Sequence, residues 1–272
     1  MVATRLQFQF EGSPSPTSEP QQLTNPAGSK RLRILFLGNS YNPMGTVCLQ
    51  ALVELGHEAI VGDYDPLTQG GWRFARKKLR SHGWRLVLKR TSYLIRCKTR
   101  IALRRMGVPL SGFASLPELT RACGLNVIQS ANPNSAEFVQ QVRQLGVQLI
   151  VVANFSRILK RALIETPGLG CINVHPSLLP RYRGPEPFYW VLANREKTTG
   201  VTLHYMDEGI DSGDIILQRE LEIRPKETES TLLHRSAAMA AELLREAIPL
   251  VQAGCAPRIP QDQTAATYYS FP

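Results

Sequence analysis

An amide and an imidazole stand two residues apart at the end of a short apolar run, in the segment Cys171–His175 (CINVH). Side chains two residues apart in a strand point to the same face, so Asn173 and His175 can reach one reacting group. An amide donor and an imidazole can together polarise a carbonyl and stabilise the oxyanion that forms from it. By spacing alone, a hydrogen-bonded pair that closes a strand is the commoner situation.

A second group of candidates is the acidic loop at residues 206–214 (MDEGIDSGD), which holds four acids and two turn-forming glycines. An ordinary acidic hairpin turn accounts for most of these acids. The spacing of a calcium-binding EF-hand is not met, because Gly209 follows Asp207 by two residues. A metal held by His175, His204 and an Asp has no two-histidine helix motif to support it, so we expect no metal site.

The segment GNSYNPMG, residues 38–45, follows the first apolar run and opens a helical pattern. Helix N-termini attract anions through free backbone N–H groups. The spacing matches neither the dinucleotide-binding fingerprint nor the phosphate-binding P-loop. A phosphate site and a plain strand-to-helix turn therefore both remain open.

The elements that must position these residues alternate along the chain. Apolar runs predict strands at residues 31–38, 58–64, 125–129, 148–154 and 171–175, with helical patterns between most of them. Residues 199–207 and 214–223 read as an antiparallel pair, and 228–254 as a long amphipathic helix. This order predicts an α/β fold with a doubly wound, mostly parallel sheet, whose ligands bind beyond the carboxyl ends of the strands.

Bulk composition excludes several classes of protein. No apolar run approaches the ~18–20 residues of a membrane-spanning helix, and the first residues lack the apolar core of a secretory signal. The five cysteines are scattered without a C-x-x-C pair, which favours a reducing, cytoplasmic location. Residues 1–30 are rich in Pro, Ser, Gln and Thr, and we expect them to form a disordered leader.

The net charge of +10 is concentrated in one segment, residues 72–106, which holds 13 Lys and Arg and no Asp or Glu. Without it the chain would carry a charge of −3. We expect a basic helical insertion, at about residues 68–122, within one domain spanning 31–272. Three interpretations compete: a solvated basic face, a docking surface for an anionic substrate or nucleic acid, and a helix at the membrane surface, which is the least favoured.

The segment NVHPSLLPRYRG followed by TGVTLHYMDEGIDSGDI resembles the 10-formyltetrahydrofolate-dependent formyltransferases. That family includes glycinamide ribonucleotide transformylase, methionyl-tRNA formyltransferase and the sugar N-formyltransferases. The resemblance covers about residues 32–66 and 125–272. It implies the formyltransferase fold, and it implies catalytic roles for Asn173, His175 and Asp211.

The resemblance also implies a folate substrate and places for it. The segment NFSRIL would hold the pterin ring through Arg157, Ile158 and Leu159, and Asp211 would close on the same ring. The structural alternative for Ile158 and Leu159 is packing in the core. The implied activity is transfer of a formyl group from 10-formyltetrahydrofolate to a primary amine, without a metal.

The acceptor is the least defined part of this expectation. In methionyl-tRNA formyltransferases a further C-terminal domain follows a region like PQDQTAATY, whereas this sequence ends at Pro272. We therefore expect a small-molecule amine, such as an amino sugar nucleotide. The alternatives are a methionyl-tRNA formyltransferase-like enzyme and a non-catalytic member of the fold that binds nucleic acid or membrane through residues 72–106. The oligomeric state is left undefined.

Overall fold

The structure is a computed structural model that describes residues 31–39, 42–63, 95–104, 106–108, 110, 112–130 and 132–272. Its strands are β1 (Arg33–Gly38), β2 (Glu58–Asp63), β3 (Asn126–Gln129), β4 (Leu149–Ala153), β5 (Cys171–His175), β6 (Thr198–Tyr205) and β7 (Ile215–Glu222). Its helices are α1 (Pro43–Glu54), α2 (95–104), α3 (Leu116–Ala122), α4 (Ala136–Gln144), α5 (Arg161–Ile164), α6 (Pro187–Ala193) and α7 (Glu229–Gln252). Every strand expected from the apolar pattern is present.

The described strands form one sheet in the order β3-β2-β1-β4-β5-β6-β7. The strands from β3 to β5 pair in parallel, whereas β6 and β7 are antiparallel to their neighbours. The chain leaves β1 in one direction to form β2 and β3 and returns on its other side as β4, as in doubly wound folds. The expected mostly parallel α/β architecture is therefore confirmed, including the antiparallel pair at its edge.

Strand β1 shows why its apolar run is unbroken. Ile34 and Phe36 belong to one hydrophobic core, and Leu35 and Leu37 to a second core on the opposite face of the sheet. Both faces are covered by helices, so neither set of side chains can be polar. The two hydrophobic cores, one on each face, hold the sheet and the ends of its strands in place.

The helices follow the capping signals of the sequence with some differences in length. Ser135 caps α4 by accepting a hydrogen bond from the Phe138 N–H, as expected. Helix α7 continues through Pro249, so that residue does not shorten it. Helix α5 has four residues and is shorter than the pattern suggested, while α3 and α6 were not expected.

Part of the basic segment is visible in α2, where it has a structural role. Arg100 and Arg104 both pair with Glu118, whose side chain is 1% exposed, at 3.3 and 3.0 Å. Residues 64–94 and the expected leader 1–30 lie outside the described residues. Within the described ranges, no helix combines the length and the apolar character needed to span a bilayer.

Candidate active site

Asn173 and His175 occupy the carboxyl end of β5, between the parallel strand β4 and the antiparallel strand β6. The alternation of the strand turns both side chains to the same side, as the spacing predicted. His175 is buried and Asn173 is half-buried. An apolar strand therefore delivers two polar side chains to the sheet edge where ligands bind in this class of fold.

Asp211 reaches the same place from the loop between β6 and β7. One carboxylate oxygen accepts a hydrogen bond from Asn173 Nδ2 at 3.2 Å. The other lies 3.5 Å from His175 Nδ1 and accepts a hydrogen bond from the Gly184 N–H at 2.9 Å. The structure thus brings together the three side chains to which the resemblance implied catalytic roles.

The loop that carries Asp211 is tightly folded. Asp211 itself has a φ of 51°, the left-handed region that residues with a side chain seldom adopt. At Gly213 an added Cβ would clash with the carbonyl oxygen of Tyr205, so the close return of the chain requires glycine. Such a backbone conformation persists where surrounding contacts hold it in place.

The protonation of His175 follows from its neighbours. Its Nε2 lies 2.8 Å from the Tyr182 carbonyl oxygen, which can only accept, so Nε2 carries a proton. Burial lowers the pKa of His175 and outweighs the Asp211 carboxylate, which acts to raise it. The ring is therefore neutral at pH 7, with an unprotonated Nδ1 facing Asp211. Desolvation of the charged ring therefore dominates over the attraction of the carboxylate.

Asp211 behaves in the opposite way. Burial alone acts to raise its pKa, but the neighbouring His175 and His204 and the Gly184 N–H outweigh that effect and lower it. The hydrogen bonds that Asn173 and the Gly184 N–H donate to it favour the ionised carboxyl group. The site therefore holds a carboxylate beside a neutral imidazole, which can take up a proton and then pair with that carboxylate.

His204, which the sequence analysis raised only as a conceivable metal ligand, is a further member of the site. It lies opposite Asn173 in the β5–β6 register, and its Nε2 is 3.1 Å from Asn173 Nδ2 and 3.6 Å from an Asp211 oxygen. Its Nδ1 donates to the Tyr205 carbonyl at 2.8 Å, which leaves Nε2 free to accept from the Asn173 amide. Strand alternation offered a signal, because His204 stands at the end of β6 that turns into the acidic loop.

No metal site joins these groups. Among the described residues, no group of three or more His, Cys, Asp or Glu side chains is arranged to hold a metal ion. The two histidines, Asn173 and Asp211 instead engage one another and the backbone.

A cavity of about 440 Å³ lies beside the acidic loop. Its lining comes from helix α5 and from the start of the loop, through Arg161, Ile164, Glu165, Met206, Asp207, Glu208 and Gly209. The side chain of Ile158 is 70% exposed and that of Leu159 is 2% exposed, so Leu159 packs in the core. The expected folate-binding residues Arg157, Ile158 and Leu159 thus precede the lining residues of α5 and are not among them.

The segment before α5 is fixed in place by one side chain. Asn134 donates from Nδ2 to the Ile158 carbonyl at 2.9 Å, and its Oδ1 accepts from the Lys160 N–H at 2.7 Å. The backbone on either side of Leu159 is therefore held next to the cavity. A ligand in the cavity would meet a preformed wall here.

Comparison with known proteins decides the family. A family model described as formyl transferase matches residues 111–248, which are about half of the chain. The matched range includes strands β3 to β7 and the loops between them. The chain belongs to the formyl transferase family. The resemblance seen in the sequence is thereby confirmed.

Curated relatives of this chain agree with the family. The methionyl-tRNA formyltransferase of Methylacidiphilum infernorum (isolate V4) is 45% identical over 142 residues, which are 52% of this chain and 44% of that protein. The chain spans about half the length of the curated relatives it matches.

Solved structures agree with the fold. Glycinamide ribonucleotide transformylase 1 from Symbiobacterium toebii superimposes with a TM-score of 0.58 at 20% identity, over 85% of this chain and 93% of that one. The N-formyltransferase from Helicobacter canadensis, in complex with folinic acid and dTDP-3-aminofucose, has a TM-score of 0.57 at 20% identity, over 87% and 70%. At these identities the likeness confirms the formyltransferase fold alone.

Proposed function

We propose that this protein transfers a formyl group from 10-formyltetrahydrofolate to a primary amine. The observation that carries the proposal is the convergence of Asn173, His175 and Asp211 at one sheet edge, in a chain of the formyl transferase family. A binding module gains nothing from a neutral imidazole placed against an ionised carboxylate. An acyl-transfer site needs that pair to remove a proton from the attacking amine.

In this proposal each side chain has a separate task. As the amine nitrogen bonds to the formyl carbon, Nδ1 of His175 takes the amine proton, and Asp211 stabilises the imidazolium that results. Asn173 exchanges one of its present hydrogen bonds, to Asp211 or to His204, for a bond to the developing oxyanion. A donor of this kind is worth about 3 kcal/mol in related sites. The bond from carbon to N10 of the folate then breaks, and the imidazolium returns its proton to that nitrogen.

The cavity beside the acidic loop is our proposed site for the pterin end of the formyl donor. Its volume of about 440 Å³ lies within the range of small-molecule pockets. The donor supplies the activated formyl group. Helix α5 and the start of the acidic loop supply the walls, and Asp211 lies two residues beyond the lining residue Gly209.

For the acceptor, the relatives favour the alternative over our first expectation. The methionyl-tRNA formyltransferase of M. infernorum matches at 45% identity, whereas the structural neighbours that act on amino sugars are far more distant. We therefore propose methionyl-tRNA as the first acceptor to test, with an amino sugar nucleotide as the second. A cytoplasmic location, expected from the cysteine usage, belongs to the same proposal, and none of the five cysteines forms a disulfide.

The test is a transfer assay with two acceptors. Purified protein is incubated with 10-formyltetrahydrofolate and either methionyl-tRNA or dTDP-linked amino sugars, and formylated product is measured by mass spectrometry. We expect Asp211→Asn to lower the rate about 100-fold or more, since the imidazolium loses its partner. Asp214→Asn is the matched control, because Asp214 lies in the same loop but faces Arg258, 3.8 Å away.

Two outcomes would contradict the proposal. One is a wild-type protein that yields no formylated product with either acceptor. The other is an Asp211→Asn variant as active as Asp214→Asn. Consumption of the donor without any acceptor would indicate a hydrolase instead.

A further inference from the structure

The last residues of the chain lie against the active-site loops. Residues 257–272, here called the C-terminal strap, run across the β6–β7 loop and the loop that follows β5. Ile259 exchanges two backbone hydrogen bonds with Ile215, and Tyr268 forms a backbone bridge with Arg183. This tail has little regular secondary structure, yet it has defined hydrogen-bond partners.

Within the strap, Gln261 directly contacts the acidic loop that carries Asp211. Its Nε2 donates to the carbonyl oxygen of Asp211 at 2.9 Å and to that of Gly213 at 2.7 Å. The residue is buried, with 7% of its surface exposed. The two bonds hold the loop on both sides of Ser212, where the backbone of Asp211 has its left-handed conformation.

A buried arginine sets the orientation of the Gln261 amide. Both Nε and an Nη of Arg183 donate to Oε1 of Gln261, at 3.1 and 2.6 Å. A guanidinium has donors only, so it must face the amide oxygen, and the amide nitrogen must then face the two carbonyls. The third Arg183 bond, at 3.0 Å, goes to Gln263, whose Nε2 donates to the Gln261 carbonyl.

The strap also supports the partner of the imidazole. Thr267 accepts a hydrogen bond from the Tyr182 N–H at 2.8 Å through its hydroxyl, and its carbonyl accepts from the Arg183 N–H at 2.9 Å. The carbonyl of Tyr182 is the group to which His175 donates. The carboxylate and the imidazole are thus both held through the strap, by separate bonds.

We infer that Gln261 is a positioning residue for the reaction and acts through Asp211. The inference rests on the proposed function, because it assigns a purpose to the placement of Asp211. Gln261 keeps the carboxylate within reach of His175 Nδ1 by fixing the backbone from which Asp211 projects. A displacement of about 1 Å at such a site can lower the rate about 100-fold.

The test compares Gln261→Glu with Gln263→Ala. The glutamate keeps the size of the side chain and an oxygen for Arg183, but it loses the N–H donors and turns an oxygen toward the two carbonyls. Gln263→Ala shortens a glutamine that is bonded to the same arginine. It keeps the Gln261 side chain that donates to the Asp211 and Gly213 carbonyls. Backbone hydrogen exchange at residues 207–214, kcat, KM and the pH profile are measured for each, with thermal unfolding as a check of folding. Gln261→Ala replaces the first variant if that one does not fold.

We expect Gln261→Glu to speed exchange in the loop and to lower kcat at least tenfold, with a smaller change in KM for the folate. The acid limb of the pH profile moves to lower pH, because a displaced carboxylate raises the pKa of His175 less. Gln263→Ala leaves all of these near wild type. The inference would be overturned if Gln261→Glu left hydrogen exchange in the loop unchanged. It would also be overturned if exchange became faster while kcat stayed the same. If the wild-type protein transfers no formyl group, the proposed function fails, and the exchange result still decides whether Gln261 holds the loop.

Discussion

At the scale of single residues, the environment of His175 is what makes the site chemically useful. Its Nε2 proton is committed to the Tyr182 carbonyl, so only Nδ1 can accept another proton. Burial keeps the ring neutral, and the carboxylate 3.5 Å away stabilises the charge that appears when Nδ1 is protonated. In the proposed reaction, these two opposing influences on the pKa give a base that is unprotonated at pH 7 and is stabilised once it is protonated.

A titration of His175 tests this balance. Burial lowers its pKa below 6.5 while Asp211 acts to raise it, so Asp211→Asn removes the raising influence and lowers the pKa further. Ring chemical shifts measured by NMR as a function of pH would show the midpoint below 6.5 in the wild type and lower still in the variant. Asp214→Asn should leave the midpoint unchanged. A midpoint above 6.5 in the wild type would refute the assignment of a neutral base.

At the scale of elements, the site depends on where strands end and on what holds the loops beyond them. Strand β5 ends between β4 and β6, which brings His204 opposite Asn173. The other loops are fixed by side chains from distant parts of the chain, such as Asn134 beside α5. Side chains also fix the described part of the basic segment, because Arg100 and Arg104 of α2 pair with Glu118 of α3.

Removal of this buried carboxylate tests the anchor between α2 and α3. We expect Glu118→Ala to reduce the free energy of unfolding by about 3 kcal/mol, since it leaves two partly buried guanidiniums without their partner. The matched control is Glu242→Ala, which removes an exposed ion pair with Arg219. We expect it to reduce the free energy of unfolding by less than about 1 kcal/mol. Urea unfolding of both variants gives the comparison, and equal losses would contradict the anchor.

The same carboxylate sets a pH dependence with a definite sign. Burial acts to raise the pKa of Glu118, but the Ala114 N–H and the two arginines outweigh it and lower the pKa below 4.5. A lowered pKa stabilises the fold above the unfolded value, and that contribution is lost as the pH falls through the folded value. The difference in stability between wild type and Glu118→Ala should therefore shrink below about pH 4.5.

At the scale of the whole molecule, the uneven charge bears on the choice of acceptor. Residues 72–106 carry 13 positive charges, whereas the rest of the chain sums to −3, and two of those arginines pair with Glu118 inside the fold. The other Lys and Arg residues of the segment give it a large positive charge, which would favour a polyanionic acceptor. A tRNA acceptor would use it, whereas a single nucleotide sugar would engage only a few charges.

Salt dependence separates the two acceptors. If methionyl-tRNA is the acceptor, the logarithm of kcat/KM should fall with the logarithm of salt concentration, with a slope of about −0.9 for each phosphate neutralised. With an amino sugar nucleotide the slope should be much smaller. Both are measured on the same preparation between low and physiological salt. A flat response with methionyl-tRNA would contradict a role for the basic segment in holding it.

Local pattern was enough to predict most of the architecture and to single out the candidate site residues. The apolar run of β1 predicted a strand buried on both faces, because both faces of a parallel sheet must be covered. The pair Asn173 and His175 and the acidic loop carried a resemblance specific enough to indicate the family. These features are readable from the chain because each depends on residues close together in sequence.

The tertiary structure alone decided how the site is held and charged. His204 belongs to the site because strand β6 returns antiparallel to β5, and Gln261 because an irregular tail packs 50 residues beyond Asp211. The pKa of His175 is lowered because packing buries the ring, and that burial outweighs the nearby carboxylate. Desolvation and contacts between distant segments arise from packing in three dimensions, and no local pattern of residues encodes them.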